Sequence, residues 1–169
     1  MIITKRIIVT DTNIITDLNT ARVLDRFINL DNVYISDLVK LHEINFKTGN
    51  LKLINKFKVI SSTSQELIEI FDIQNTNKKL SDKDILNYII ARDNKGILAT
   101  GDERLKKYAE ANGVEVIRTL KIIELLYVNS IISYKDFVNG CVFLKNDPKT
   151  RIPIDKIDIL LKKYNLVKN

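Results

Sequence analysis

Five short apolar runs, at residues 6–10, 33–35, 57–60, 96–100 and 114–117, punctuate the chain, and the stretches between them carry apolar residues at helical spacing. This alternation limits the possible folds more than any other feature. Runs such as RIIVT and GILAT are apolar and β-branched with no polar alternation, the mark of strands covered on both faces. A helix between consecutive strands carries the chain back across the sheet, so the strands lie parallel. The reading is an α/β domain over residues 1–118, a parallel sheet flanked by helices, followed by an all-helical extension over 119–169 packed on the same domain.

Local signals set the boundaries. Asp11-Thr12-Asn13 reads as a turn after the first strand, with a helix over 21–30 carrying Val23, Leu24, Phe27, Ile28 and Leu30. Ser36 or Asp37 caps a helix through Leu38, Leu41 and Ile44. Thr48-Gly49-Asn50 breaks the chain before a short helical piece. Thr63 and Glu66 form a capping box for a helix through Leu67, Ile70 and Phe71, and residues 75–79 form a polar loop. Ser81 and Asp84 open a helix whose Ile85, Leu86, Ile89 and Ile90 face the core. Gly101-Asp102 turns into a helix ending near Gly113. Residues 120–145 read as one or two helices. Pro148 and Pro153 follow, and a last helix bears Ile157, Leu160, Leu161 and Tyr164 at i, i+3, i+4 and i+7.

Composition narrows the class. Lys and Arg number 27 against 21 Asp and Glu, a net charge of +6, which suits a polyanionic partner but is shared by many ordinary proteins. A single cysteine, Cys141, excludes an internal disulfide and reads as a buried small hydrophobe in a reducing compartment. The first residues meet Lys5 and Arg6 early and do not form a signal peptide. No stretch approaches the about 18 apolar residues of a membrane helix. The expectation is a cytoplasmic protein.

Two acids fall where open parallel sheets place their sites, beyond the carboxyl ends of strands: Asp11 after the first run and Asp102 after the fourth. Asp84, in the first turn of the helix before that fourth strand, and Glu43, about two turns into the helix after the second, can reach the same rim, though secondary structure does not force them there. Such a cluster repels itself unless cations neutralise it, and hard oxygen donors suit Mg²⁺ or Mn²⁺. One His and one Cys exclude a zinc cluster. Each acid also has a purely structural role open to it: an Asx-turn for Asp11, a capping box for Asp84, an N-cap for Asp102, a solvated helix position for Glu43.

Together these segments resemble the PIN-domain family, including its VapC-type toxins. The resemblance rests on Ile8-Val9-Thr10-Asp11-Thr12-Asn13, on His42-Glu43-Ile44, on Ser81-Asp82-Lys83-Asp84 running to Ile90-Ala91, and on Leu98-Ala99-Thr100-Gly101-Asp102. It covers residues 6–118, and the tail is similar to the helical extension of some prokaryotic members. What it implies is a metal-dependent endoribonuclease acting on single-stranded RNA with Mg²⁺ or Mn²⁺, often a toxin held by an antitoxin, and often a homodimer. By that resemblance Asp11, Glu43, Asp84 and Asp102 are the metal ligands and catalytic acids, supported by Asn13 and Thr100. The neighbouring acids Asp17, Asp82 and Glu103 compete for the same assignments.

Arg104, Lys106 and Lys107 follow Asp102 on one helix and suit either phosphate contact or a solvated face. Lys162, Lys163 and Lys168 read as solubilising. His42 reads as a partly buried helix residue rather than a general base. The six tyrosines are scattered and form no stacking platform, and no glycine-rich phosphate loop is present. A haloacid-dehalogenase-type phosphatase needs a second Asp two positions after Asp11, where this chain has Asn13. The remaining alternative is a non-catalytic PIN-like module that binds RNA or protein.

Overall fold

The computed structural model describes residues 4–45 and 54–165, with the side chains of 43–45 outside that description. Among the described residues five parallel strands form one sheet in the order β3-β2-β1-β4-β5. They are β1 (Ile8–Thr10), β2 (Val33–Ser36), β3 (Lys58–Ile60), β4 (Ile97–Ala99) and β5 (Glu115–Ile117). Central β1 is fully buried, Ile8 and Val9 pointing to opposite faces. The α/β class expected from the alternation is therefore the one observed. The break at Thr48-Gly49-Asn50 and the short helical piece after it fall outside the described residues.

Two apolar layers cover the sheet. On one face lie α1 (Thr12–Thr20), α2 (Leu24–Ile28) and the tail helices α7 (Thr119–Val128), α8 (Tyr134–Asn146) and α9 (Ile154–Asn165). Phe27, Phe137, Ile14 and Leu18 are wholly buried there with Ile8, Ile35 and Ala99. On the other face lie α4 (Ser64–Thr76), α5 (Asp82–Asp93) and α6 (Glu103–Ala111), with Val9 and Leu98 from the sheet. Helix α5 is buried on every side from Ile85 to Ala91. Helix α3 (Asp37–Asn45) starts at the residue after β2. No helix among the described residues is long and apolar enough to cross a membrane.

The segment after β1 departs from the sequence reading. A helix begins at Thr12 without a loop, and residues 21–30 hold only the short α2. Asp11 causes the early start, since its Oδ1 accepts the Ile14 N–H at 2.9 Å and caps α1, whose Ile14, Ile15 and Leu18 are buried. Arg22 causes the break. It sits at φ 58°, and Val23 N–H returns to Leu18 O at 3.0 Å, a Schellman closure. The same closure ends α5 at Lys95 and α7 at Ser130. Among the described residues only Gly113, ending α6, uses the residue that normally advertises this turn. The Ser130 closure is also what divides residues 120–145 into two helices.

Glycine is required for a different reason at Gly96, where a Cβ would stand 2.7 Å from Ile7 Cγ1 and 2.9 Å from Ile7 O. Leu41, Leu67 and Phe71, whose apolar spacing predicts the helices that carry them, are exposed, and in α4 Ile70 alone is buried.

Candidate functional site

In a parallel α/β sheet a helix that directly follows a strand begins at the edge where that strand ends, so such helix N-termini and strand C-termini gather there. Three of the expected acids occupy that edge as helix caps. Asp11 caps α1, Asp84 closes a reciprocal capping box with Ser81 at the start of α5, and Asp102 caps α6 through Arg104 N and Leu105 N at 2.7 and 2.9 Å. The capping roles open to Asp84 and Asp102 are thus filled, while Asp11 caps a helix in place of the expected Asx-turn. The cap geometry also turns each carboxylate toward the positive end of a helix.

Thr100 joins the two sheet-derived acids. Its hydroxyl, wholly buried, donates to Asp11 Oδ2 and accepts the Asp102 N–H at 3.0 Å. Gly101 N–H adds a longer bond to Asp11 Oδ2 at 3.3 Å. Asp11 is only 4% exposed. Burial drives its pKa up from 3.8 to about 6; the donors from Ile14, Thr100 and Gly101 offset part of this, and the negative charge of Asp84 adds to it. Asp11 and Asp84 therefore lie near enough to repel, although Asp84 comes from a different helix.

Asp84 accepts from Ser81 through Oδ2 and Asp102 accepts through Oδ1, leaving Asp84 Oδ1 and Asp102 Oδ2 without a donor among the described residues. Free carboxylate oxygens beside a buried Asp11 are the donor type that a hard divalent cation takes. Among the described residues no group of three or more His, Cys, Asp or Glu is spaced to hold a metal. The Glu43 side chain lies outside them. Its neighbour His42 has Nε2 3.5 Å from Lys83 Nζ, so the residues preceding Glu43 and Asp84 face each other.

The supporting residues divide. Thr100 touches Asp11 directly. Asn13 is exposed and stands over Gly101, where an added Cβ would meet Asn13 Cβ at 3.3 Å. Arg104 lines a cavity of about 460 Å³ with Lys78, Lys79 and Tyr108, whereas Lys106 lies 4.0 Å from Glu110 and Lys107 is simply exposed. Asp82 is exposed at the first position of α5.

Three features of the site carry no sequence signal. Arg118, after β5, bonds Gly101 O at 2.9 Å and Glu103 at 2.8 Å, bracing the turn that presents Asp102. Thr119 donates to Asp17 Oδ2 at 2.6 Å, and burial holds the Asp17 carboxyl above its ordinary range. Ser36 donates to Asn87 Oδ1 at 2.7 Å in the core, one helical turn beyond Asp84, tying α5 to the end of β2. All three join residues far apart in the chain, and only the fold brings them together.

No family model matches the chain, and no curated protein matches it. Among solved structures it is similar to the crystal structure of PAE2754 from Pyrobaculum aerophilum, at 19% identity and a TM-score of 0.54, over 71% of this chain and 96% of that one. That likeness is one of fold.

Proposed function

We propose that the chain is a metal-dependent endoribonuclease of the PIN-domain type, cleaving RNA phosphodiester bonds through Asp11, Glu43, Asp84 and Asp102 with Mg²⁺ or Mn²⁺. The observation that supports this most is the Thr100 bridge, which ties Asp11 to Asp102 at the sheet edge while Asp84 approaches closely enough to raise the Asp11 pKa. Acids that repel at short range are stable only with compensation, and a divalent ion supplies it. When bound, such an ion activates water and stabilises the leaving oxygen. The chain's own part is to present oxygens: Asp11 fixed by three donors, Asp84 and Asp102 each with one oxygen free. Thr100 keeps Asp11 oriented whichever protonation state it holds. Arg118 keeps the Gly101-Asp102 turn from collapsing.

On this reading the protein works in the cytoplasm, with a toxin's role, an antitoxin partner and a homodimer as the further expectations of the PIN resemblance. The test is cleavage of single-stranded RNA with Mn²⁺ added. Asp11→Asn and Asp102→Asn are expected to lose at least about 100-fold, the scale of removing a group that stabilises charge in the transition state. Cleavage at wild-type rates by either variant overturns the assignment. RNA binding with no cleavage under any divalent ion favours the non-catalytic module.

A further inference from the structure

Beside Asp102 the structure holds a second cavity, about 590 Å³, within the size range of ligand sites. One wall comes from the sheet edge, including Asn13, Asp17, Asp102 and Arg118. The opposite wall comes from the tail: Lys149 and Arg151 on the segment joining α8 to α9, and Lys156 in the first turn of α9.

These three cations differ from others in the tail. Lys121 and Lys163 sit on Glu124 and Lys145 sits on Asp158, each within 3 Å. Lys149, Arg151 and Lys156 are exposed and make no side-chain ion pair within 4.0 Å among the described residues. Arg151 does reach the cavity electrostatically, lowering the Asp17 pKa. The segment carrying them is fixed before any ligand arrives. Asp147 accepts from Thr20 Oγ1 at 3.3 Å and from Lys149 N at 2.9 Å, its carbonyl accepts Thr150 N–H at 3.0 Å, and Ile152 packs on the core.

We propose that this cleft binds the ribose-phosphate backbone of single-stranded RNA, with the C-terminal extension supplying the phosphate-binding wall. Phosphates meet Lys149, Arg151 and Lys156. Ribose hydroxyls donate to Asp17 and Asn13 opposite, acceptors that a purely anionic ligand leaves unused. An acidic protein segment carries repeated charge but no such hydroxyls. A second basic surface begins close by: Lys78, Lys79 and Arg104 line another cavity, and Arg104 follows Asp102 by two residues at the start of α6. The proposal takes its choice of strand from the ribonuclease reading, but the binding it describes needs neither metal nor cleavage.

The experiment measures binding of a short fluorescein-labelled single-stranded RNA to the full chain by anisotropy, in EDTA, across a salt series. Lys149→Gln/Arg151→Gln/Lys156→Gln is expected to weaken binding by about 10- to 100-fold and to flatten the salt slope by about 2, three lost phosphate contacts at about 0.7 each. Lys135→Gln/Lys162→Gln, which alters exposed tail lysines outside the cleft, is expected to keep both. An unchanged slope in the triple variant overturns the proposal, as does equal competition by polyaspartate and unlabelled RNA. Circular dichroism shows whether the triple variant is folded, and a double variant, Lys149→Gln/Arg151→Gln, gives the same reading if it is not. Tail-dependent binding with no Mn²⁺ cleavage in the wild type removes the nuclease reading and leaves this one standing.

Discussion

Asp11 and Glu124 are both buried carboxylates, 4% and 7% exposed, yet the protein treats them in opposite ways. Around Glu124, on α7, burial alone would raise the pKa, but Lys163, Lys121 and the Tyr164 hydroxyl converge and bring it down to about 2. Asp11 receives only neutral donors and faces a second acid, and burial lifts it to about 6. The first carboxylate fastens the tail helices together. The second is left uncompensated at the sheet edge, at a cost of about 3 kcal/mol at neutral pH. A fold that can neutralise one buried acid with three partners and leaves another exposed to its neighbour's charge has placed an energetic deficit at that point. Deficits of this kind mark sites better than burial does.

The comparison can be broken by mutation, and the two sites should respond with opposite signs. Glu124→Ala strands Lys163, Lys121 and Tyr164 and opens the packing of α7 on α9. A loss of about 2–3 kcal/mol in urea unfolding is expected. Asp11→Asn keeps the cap acceptor and removes the uncompensated charge. It should gain about 1–2 kcal/mol at pH 7.5, and Mn²⁺ should raise the Tm of the wild type but not of this variant. A destabilised Asp11→Asn would end the argument from deficit. Thr100→Val, which removes a neutral donor from Asp11, should cost about 1 kcal/mol at pH 7.5 and less below pH 5, where the carboxyl is protonated in either case.

Titration sharpens the contrast further. Unfolded, Asp11 ionises near 3.8; folded, near 6. As pH rises through that window the unfolded chain loses its proton first, so stability falls between about pH 4 and 6 and then levels. Glu124 ionises near 4.5 unfolded and near 2 folded, so its contribution is whole above about pH 4.5 and disappears as pH falls toward 2. Stability curves of the wild type and of Asp11→Asn should therefore differ in slope between pH 4 and 6 and run parallel above it. Parallel curves throughout would show that Asp11 is not perturbed.

The strands were legible because residues such as Ile8, Val9, Leu98 and Ala99 are buried on both faces and the sequence is unbroken there by polar residues. Helix ends were legible only where they followed common usage. Thr63-Glu66 and Ser81-Asp84 are reciprocal capping boxes both by spacing and in the structure. Arg22, Lys95 and Ser130 adopt the left-handed turn that glycine ordinarily supplies, which is why the boundary between α1 and α2 was invisible. The candidate acids were legible as residues, but their relation was not. The Thr100 bridge, the Arg118 brace and the Glu124 cluster depend on packing, and Lys163, read as solubilising, proves to be an ion-pair partner. The cleft of Lys149, Arg151 and Lys156 was hidden for the same reason, since the other wall comes from the first strand-helix junction.

Strand order has a kinetic consequence. The middle strand is the first to be synthesised, and its neighbours are β2 and β4, the latter pairing Thr10 with Ala99. Ribosomal synthesis therefore produces β1 long before its second partner exists, and closing that distance is slow because the intervening chain must first surrender its freedom. Until residue 100 has left the exit tunnel, Asp11 has no Thr100 to hold it. The sheet thus grows outward from its middle strand, and the Thr100 bridge to Asp11 forms only once β4 has docked against β1.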